Sequence, residues 1–175
     1  MTMLRKWMRK KKEAGFTLIE VMLALVITGL IGLGASIASG QVLTQTSKNN
    51  DYTTANRNAM NALYWISRDA QMAQSYDGEA SFPETGDLSL NWVEWDHSVN
   101  TAVYSLVDGK LTRHYSRDSS VTNTVVAEYI SPDNDFTNCV SNNGVLTITI
   151  TATVGDGAKS INVTRVRDIV SRPKL

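Results

Sequence analysis

Gly15-Phe16-Thr17-Leu18-Ile19-Glu20, and the apolar run behind it, decide how this chain is organised. From Phe16 to Ala38 the only charged side chain is Glu20. At about 1.5 Å per residue such a run makes a helix of roughly 35 Å, enough to cross a hydrocarbon core about 30 Å thick. A single carboxylate four residues into that run is the anomaly. At mid-bilayer it would cost about 2.5–3.5 kcal/mol, and ionisable groups inside membranes are normally kept for a partner. The plainer alternative is a glutamate that snorkels to the headgroups.

On the amino-terminal side lie Arg5, Lys6, Arg9, Lys10, Lys11 and Lys12 against Glu13, a net of +5. The formal net charge of the 175 residues is zero, so residues 16–175, with 11 basic and 16 acidic side chains, carry −5. A basic cluster directly before a membrane span stays in the cytoplasm and sends the carboxy-terminal part outward. The same lysines read alone would suggest a nucleic-acid patch; their place against an apolar helix argues for the membrane. Cys139 is the single cysteine, so no intrachain disulfide can form. It reads as a buried or half-buried thiol, with an intersubunit link as the alternative.

On the carboxyl side the helix continues. Gly29, Gly32, Gly34 and Gly40 each weaken it by roughly 0.8–1.0 kcal/mol relative to alanine, and small residues also let helices approach closely in membranes. From Tyr52 the positions Tyr52, Ala55, Ala59, Leu63, Ile66, Ala70 and Ala73 recur every three or four residues, one face of an amphipathic helix. The bridge from Thr44 to Asp51 holds no proline or glycine, so one bent helix from about Thr17 to Ser75 is expected, ended by the Asp77-Gly78 turn pair. Arg68 and Asp69 read as solvated face residues.

Residues 79–175 read as strands. Val145–Val154 alternates apolar residues with threonines, a half-buried antiparallel strand. Gly155-Asp156-Gly157 then turns the chain into Ser160–Val170, where a slip of phase before Val166 suggests a bulge or strand end. Asp108-Gly109 joins Thr101–Val107 to Lys110–Arg117 as a hairpin. Leu88–Trp95 and Val121–Ile130 are further strands. Trp65, Trp92, Trp95, Tyr104, Tyr115 and Tyr129 are expected to pack the sheet against the helix. The fold class is therefore α+β, a long amino-terminal helix against a small antiparallel sheet.

Catalytic signals are weak, and no enzyme is expected. His97 and His114 stand in polar surroundings without a motif. Gly155-Asp156-Gly157-Ala158-Lys159-Ser160 lacks the full spacing of a phosphate loop and lies between strands. Asp133, Asp135 and Asn138 offer oxygen ligands without an EF-hand glycine or closing glutamate, so a solvated loop is expected and no metal site or cofactor is assigned. Asn162-Val163-Thr164 is a glycosylation sequon inside an expected strand.

The basic leader, the Gly15-Phe16 junction, the offset Glu20 and the long apolar helix, in that order, resemble the processing region of type IV prepilins and of the pseudopilins of type II secretion. The resemblance covers residues 1 to about 75 well and beyond that only general architecture. It implies cleavage by a prepilin peptidase between Gly15 and Phe16, N-methylation of Phe16, and a role for Glu20 in assembly through the Phe16 amine of the same or a neighbouring subunit. A secretory signal is instead cut behind its apolar region, whereas here the helix would be retained. The implied divisions are a leader 1–15, a helix 16–78 (16–39 in membrane or filament core, 40–78 amphipathic) and a β domain 79–175. The implied partners are other pilin subunits, the peptidase and methyltransferase, inner-membrane assembly machinery and lipid. The implied location is the cytoplasmic membrane as a single-pass protein with its amino terminus inside, then a periplasmic or extracellular filament. The chain departs from many pilins in lacking a carboxy-terminal disulfide and a proline in the helix; any stretching on assembly would rely on the glycines. Tyr64–Ala70 and the strand-rich carboxy-terminal half also resemble, weakly, minor pseudopilins of type II secretion. A membrane-anchored binding module that never polymerises is the rival from another class.

Overall fold

The computed structural model describes residues 15–118, 120–155 and 157–170. They form one α-helix, α1 (Leu18–Met72), and eight strands: β1 (Ser75–Asp77), β2 (Leu88–Val93), β3 (Val99–Val107), β4 (Lys110–Arg117), β5 (Ser120–Ala127), β6 (Asn138–Asn142), β7 (Val145–Val154) and β8 (Ile161–Val170). The described residues fall into two compact units that divide within α1, between Gln45 and Thr46.

In the first unit α1 is exposed on every side. Its hydroxyls return to their own backbone: Thr28 Oγ1 donates to the Ala24 carbonyl at 2.8 Å, Ser36 to Gly32 at 2.9 Å and Thr44 to Gly40 at 3.0 Å. These bonds leave the hydroxyls satisfied without water, as a lipid environment requires. A Cβ on Gly29, Gly32, Gly34 or Gly40 would meet nothing within 4 Å, so among the described residues the small size of these glycines serves no contact.

In the second unit the strands form two antiparallel sheets, one of five strands in the order β1-β2-β3-β4-β5 and one of three in the order β6-β7-β8. The expected small sheet is thus divided. The link between β5 and β6 crosses from one sheet to the other, and Ile130 bridges to Ala152 of β7. Ala55, Ala59, Ala62, Leu63, Ile66 and Ala70 of α1 share one core with Leu88, Leu90, Trp92, Ala102, Tyr104 and Leu111 of the first sheet and Leu146, Ile148, Ile150 and Val163 of the second. The helix face is mostly alanine, which brings its backbone close to larger side chains from the strands. Each fully buried leucine or isoleucine contributes roughly 1.5–3 kcal/mol.

Several expectations change. The helix ends at Met72, short of Ser75, because Ser75–Asp77 pairs with Ser89–Asn91 as β1. The Gln74 amide donates to the Asn91 carbonyl at 2.8 Å, passing the chain from helix to sheet. Tyr52 is exposed, and the buried face begins at Ala55. Asp69 is not solvated but fully buried. Its carboxylate accepts from Tyr104 Oη at 2.6 Å and from Arg113 Nε at 2.5 Å and Nη2 at 3.1 Å. The Arg113 guanidinium also lies 4.4 Å from the centre of the Tyr115 ring and 5.3 Å from that of Trp65. Burial, then the charge of Asp69, pushes the Tyr104 hydroxyl well above its ordinary range. For Arg113, burial alone would lower the value, but the Asp69 hydrogen bonds and charge outweigh it and raise the net.

Of the aromatic residues expected between helix and sheet, Trp92 and Tyr104 are buried and Trp65 and Tyr115 half-buried. Trp95 is 91% exposed and Tyr129 49% exposed, since both fall in connections beyond the strand ends. The slip before Val166 is absent: β7 and β8 pair without a shift from Val145↔Val170 to Val154↔Ile161. Arg165 and Arg167 simply fall in phase with Val163 and Ile169, Arg165 half-buried and Arg167 exposed, and Arg165 Nη2 donates to Asn56 Oδ1 on α1 at 2.6 Å. Among the described residues the one bulge lies elsewhere, where Leu111 pairs with Ala127 and Thr112 with Val125, leaving Val126 extra.

Candidate functional site

Gly15, Phe16 and Thr17 lie outside α1, which begins at Leu18. Thr17 is the residue that starts the helix. Its Oγ1 accepts from the Glu20 amide at 3.3 Å, and its carbonyl accepts from the Glu20 and Val21 amides at 3.0 and 3.2 Å. In return Glu20 Oε2 accepts from the Thr17 amide and hydroxyl, both at 3.4 Å. This reciprocal arrangement is a capping box, threonine at the cap and glutamate three residues on. It satisfies amides that the first turn leaves without helical partners and places negative charge at the positive end of the helix dipole, a gain of roughly 0.3–1 kcal/mol.

Glu20 is therefore an element of helix initiation as well as the lone charge of the apolar run. Sequence alone points to Gly15, Phe16 and Glu20 but passes over Thr17, although Thr-x-x-Glu before an apolar run is itself a recognisable helix start. In the uncut chain the Glu20 carboxylate engages Thr17. Phe16, Glu20, Val21, Ala24, Leu25 and Thr28 line one open groove along the helix. The leader residues 1–14, including the basic cluster, lie outside the described residues.

The other candidate residues do not converge. His97 is exposed in the β2–β3 connection with a left-handed backbone (φ 64°), whereas His114 sits in β4 with Nδ1 2.9 Å from Asn123 Oδ1. In the loop 131–138, Asp133 Oδ1 accepts from the Asp135 amide at 2.9 Å and Asn138 Nδ2 donates to the Asn134 carbonyl at 2.9 Å, so these side chains organise the turn itself. Among the described residues no group of three or more His, Cys, Asp or Glu stands together as a metal site. Gly157–Lys159 forms a short 3-10 turn between β7 and β8, in keeping with a hairpin connection. Asn162 of the sequon is exposed on β8. Cys139 is buried in β6, and burial followed by the charge of Glu79 pushes its thiol up to about 12.

These features define a class of protein: one helix long and apolar enough to cross a membrane, capped at its start, whose later turns carry a small antiparallel α+β domain. Residues 10–36 match the prokaryotic N-terminal methylation motif. That motif, at the start of the apolar run, and the long helix backed by antiparallel sheets agree with the resemblance to type IV prepilins and pseudopilins drawn from the sequence. Comparisons with curated proteins and with solved structures gave no match.

Proposed function

We propose that the chain is the precursor of a filament subunit. A prepilin peptidase cuts between Gly15 and Phe16, Phe16 is N-methylated, and the apolar half of α1 passes from the cytoplasmic membrane into the core of a pilus or pseudopilus. The single observation that carries this reading is an apolar helix segment exposed on every side with one carboxylate at its capped start. Exposed apolar surface of that extent needs lipid or other helices around it. Cleavage would create an amine on Phe16 in the same low-dielectric setting as Glu20. Pairing the two, within a subunit or between neighbours, would offset the expense of either charge alone and set the register between helices. Partners under this reading are further pilin subunits, the peptidase and methyltransferase, the inner-membrane assembly machinery and lipid.

The test is mass spectrometry of the amino-terminal peptide from membranes or sheared filaments, with a methylated Phe16 expected. An intact leader, or a cut beyond residue 30, removes the reading.

A further inference from the structure

β5 is the last strand of its sheet, and among the described residues no strand pairs with its far edge. From Ser120 to Val125 every residue is exposed. Open edges are usually blunted by brevity, by charged residues, by proline or by bulges, because unpaired backbone groups recruit other strands. The other edges of this protein follow that rule: β1 has three residues, β6 has five, and β8 carries Arg165, Arg167 and Asp168. In contrast, β5 is eight residues, Ser-Val-Thr-Asn-Thr-Val-Val-Ala, with no charge, proline or glycine. Its one bulge lies near the carboxyl end, at Val126.

The centre of this edge is a palindrome, Val121-Thr122-Asn123-Thr124-Val125. Set antiparallel to a second copy of itself about Asn123, it places Val121 opposite Val125 and Thr122 opposite Thr124, with Asn123 meeting its own equivalent. The register with β4 puts Val121, Asn123 and Val125 on the face of Ser116, His114 and Thr112, and the two threonines on the face of Tyr115 and Arg113. Apolar residues then meet apolar ones and hydroxyls meet hydroxyls, the pairings that stabilise neighbouring strands, and no like charges oppose. We propose that β5 is a self-pairing edge whose partner is β5 of a second copy of this chain, antiparallel and in register about Asn123. Such a two-fold contact closes after two copies. It would join subunits in pairs and is separate from the helix-mediated stacking proposed above.

The test uses the full chain in detergent, with Cys139 left in place because it is buried. In the proposed register Asn123→Cys meets its own equivalent within the Cα separation a disulfide accepts, whereas Thr122→Cys meets its copy only on a longer diagonal. Lys110→Cys, exposed at the start of β4, measures random collision. Held at an effective concentration in the millimolar range, Asn123→Cys should oxidise to a dimer on the order of a hundredfold faster than either control at micromolar protein. Val121→Lys with Val125→Lys should abolish that advantage, and Val121→Lys with Val125→Glu should restore it through opposite charges across the pair. Asn123→Cys no faster than Lys110→Cys overturns the proposal. So does an advantage that survives the double lysine variant, or one that the lysine–glutamate chain fails to regain.

Discussion

Cys139 pairs opposite Ile148 across β6 and β7, with its sulfur away from solvent and so unsuited to a link between subunits. The native thiol is expected to resist alkylation at pH 8 and to react once urea unfolds the chain. The pH dependence comes from its value, raised from an ordinary 9.0 to about 12 by burial and then by Glu79. Above pH 9 the unfolded chain releases this proton while the native one keeps it, so its contribution is fully present below pH 9 and is lost as pH rises towards 12. Tyr104, also raised, acts with the same sign, so the wild-type slope contains both. Cys139→Ala should therefore flatten, but not abolish, the fall of the urea midpoint above pH 9. Equal slopes in the two proteins would show that burial of the thiol carries no linkage.

At the scale of elements, Asp69, Arg113 and Tyr104 tie α1 to the middle strands of the larger sheet. Arg113→Ala leaves the fully buried Asp69 carboxylate with the Tyr104 hydroxyl as its remaining hydrogen-bond donor, a loss expected near 3–5 kcal/mol. Asp69→Leu with Arg113→Leu removes both charges and should cost less than Arg113→Ala alone. The measurement is urea unfolding of the three proteins, and a double variant as damaged as the single would contradict the account. This clamp was not legible in the sequence, because a charged residue between Ile66 and Ala70 looks solvated until its partner, 44 residues away, is known. The strands were legible where they alternate: β4 and β7 have the expected bounds, and β2, β3, β5 and β8 lie close to theirs. β1 and β6 were not, being too short to show a period and formed by pairing with stronger strands. Arg165 and Arg167 hid the true phase of β8 because the positions in phase with Val163 and Ile169 carry charged side chains, one of them held by Asn56.

For the whole molecule, the question is whether Glu20 serves the start of its own helix or the joining of subunits, since the structure gives it the first role and the proposed filament requires the second. The two can be separated by choice of substitution. Thr17→Val removes the cap while leaving the carboxylate; it should weaken the first turn by about 0.5–2 kcal/mol, seen as faster amide exchange at Glu20 and Val21, whereas Thr17→Ser keeps the cap. Glu20→Gln keeps an oxygen that accepts from the Thr17 amide, since glutamine also closes a capping box, but it removes the charge. Glu20→Ala removes both and leaves the segment more apolar and still able to insert. If the carboxylate meets the Phe16 amine during assembly, Gln and Ala should both lower the ratio of sheared filament subunit to membrane-pool subunit, although only Ala disturbs the helix start. Thr17→Val would then leave that ratio closer to wild type. If capping alone matters, Gln should assemble like wild type while Ala and Thr17→Val fall together. An unchanged ratio in Gln and Ala alike would make Glu20 an interfacial carboxylate with no part in joining subunits, whereas the absence of any sheared filament subunit from the wild type would favour a membrane-anchored module that does not polymerise.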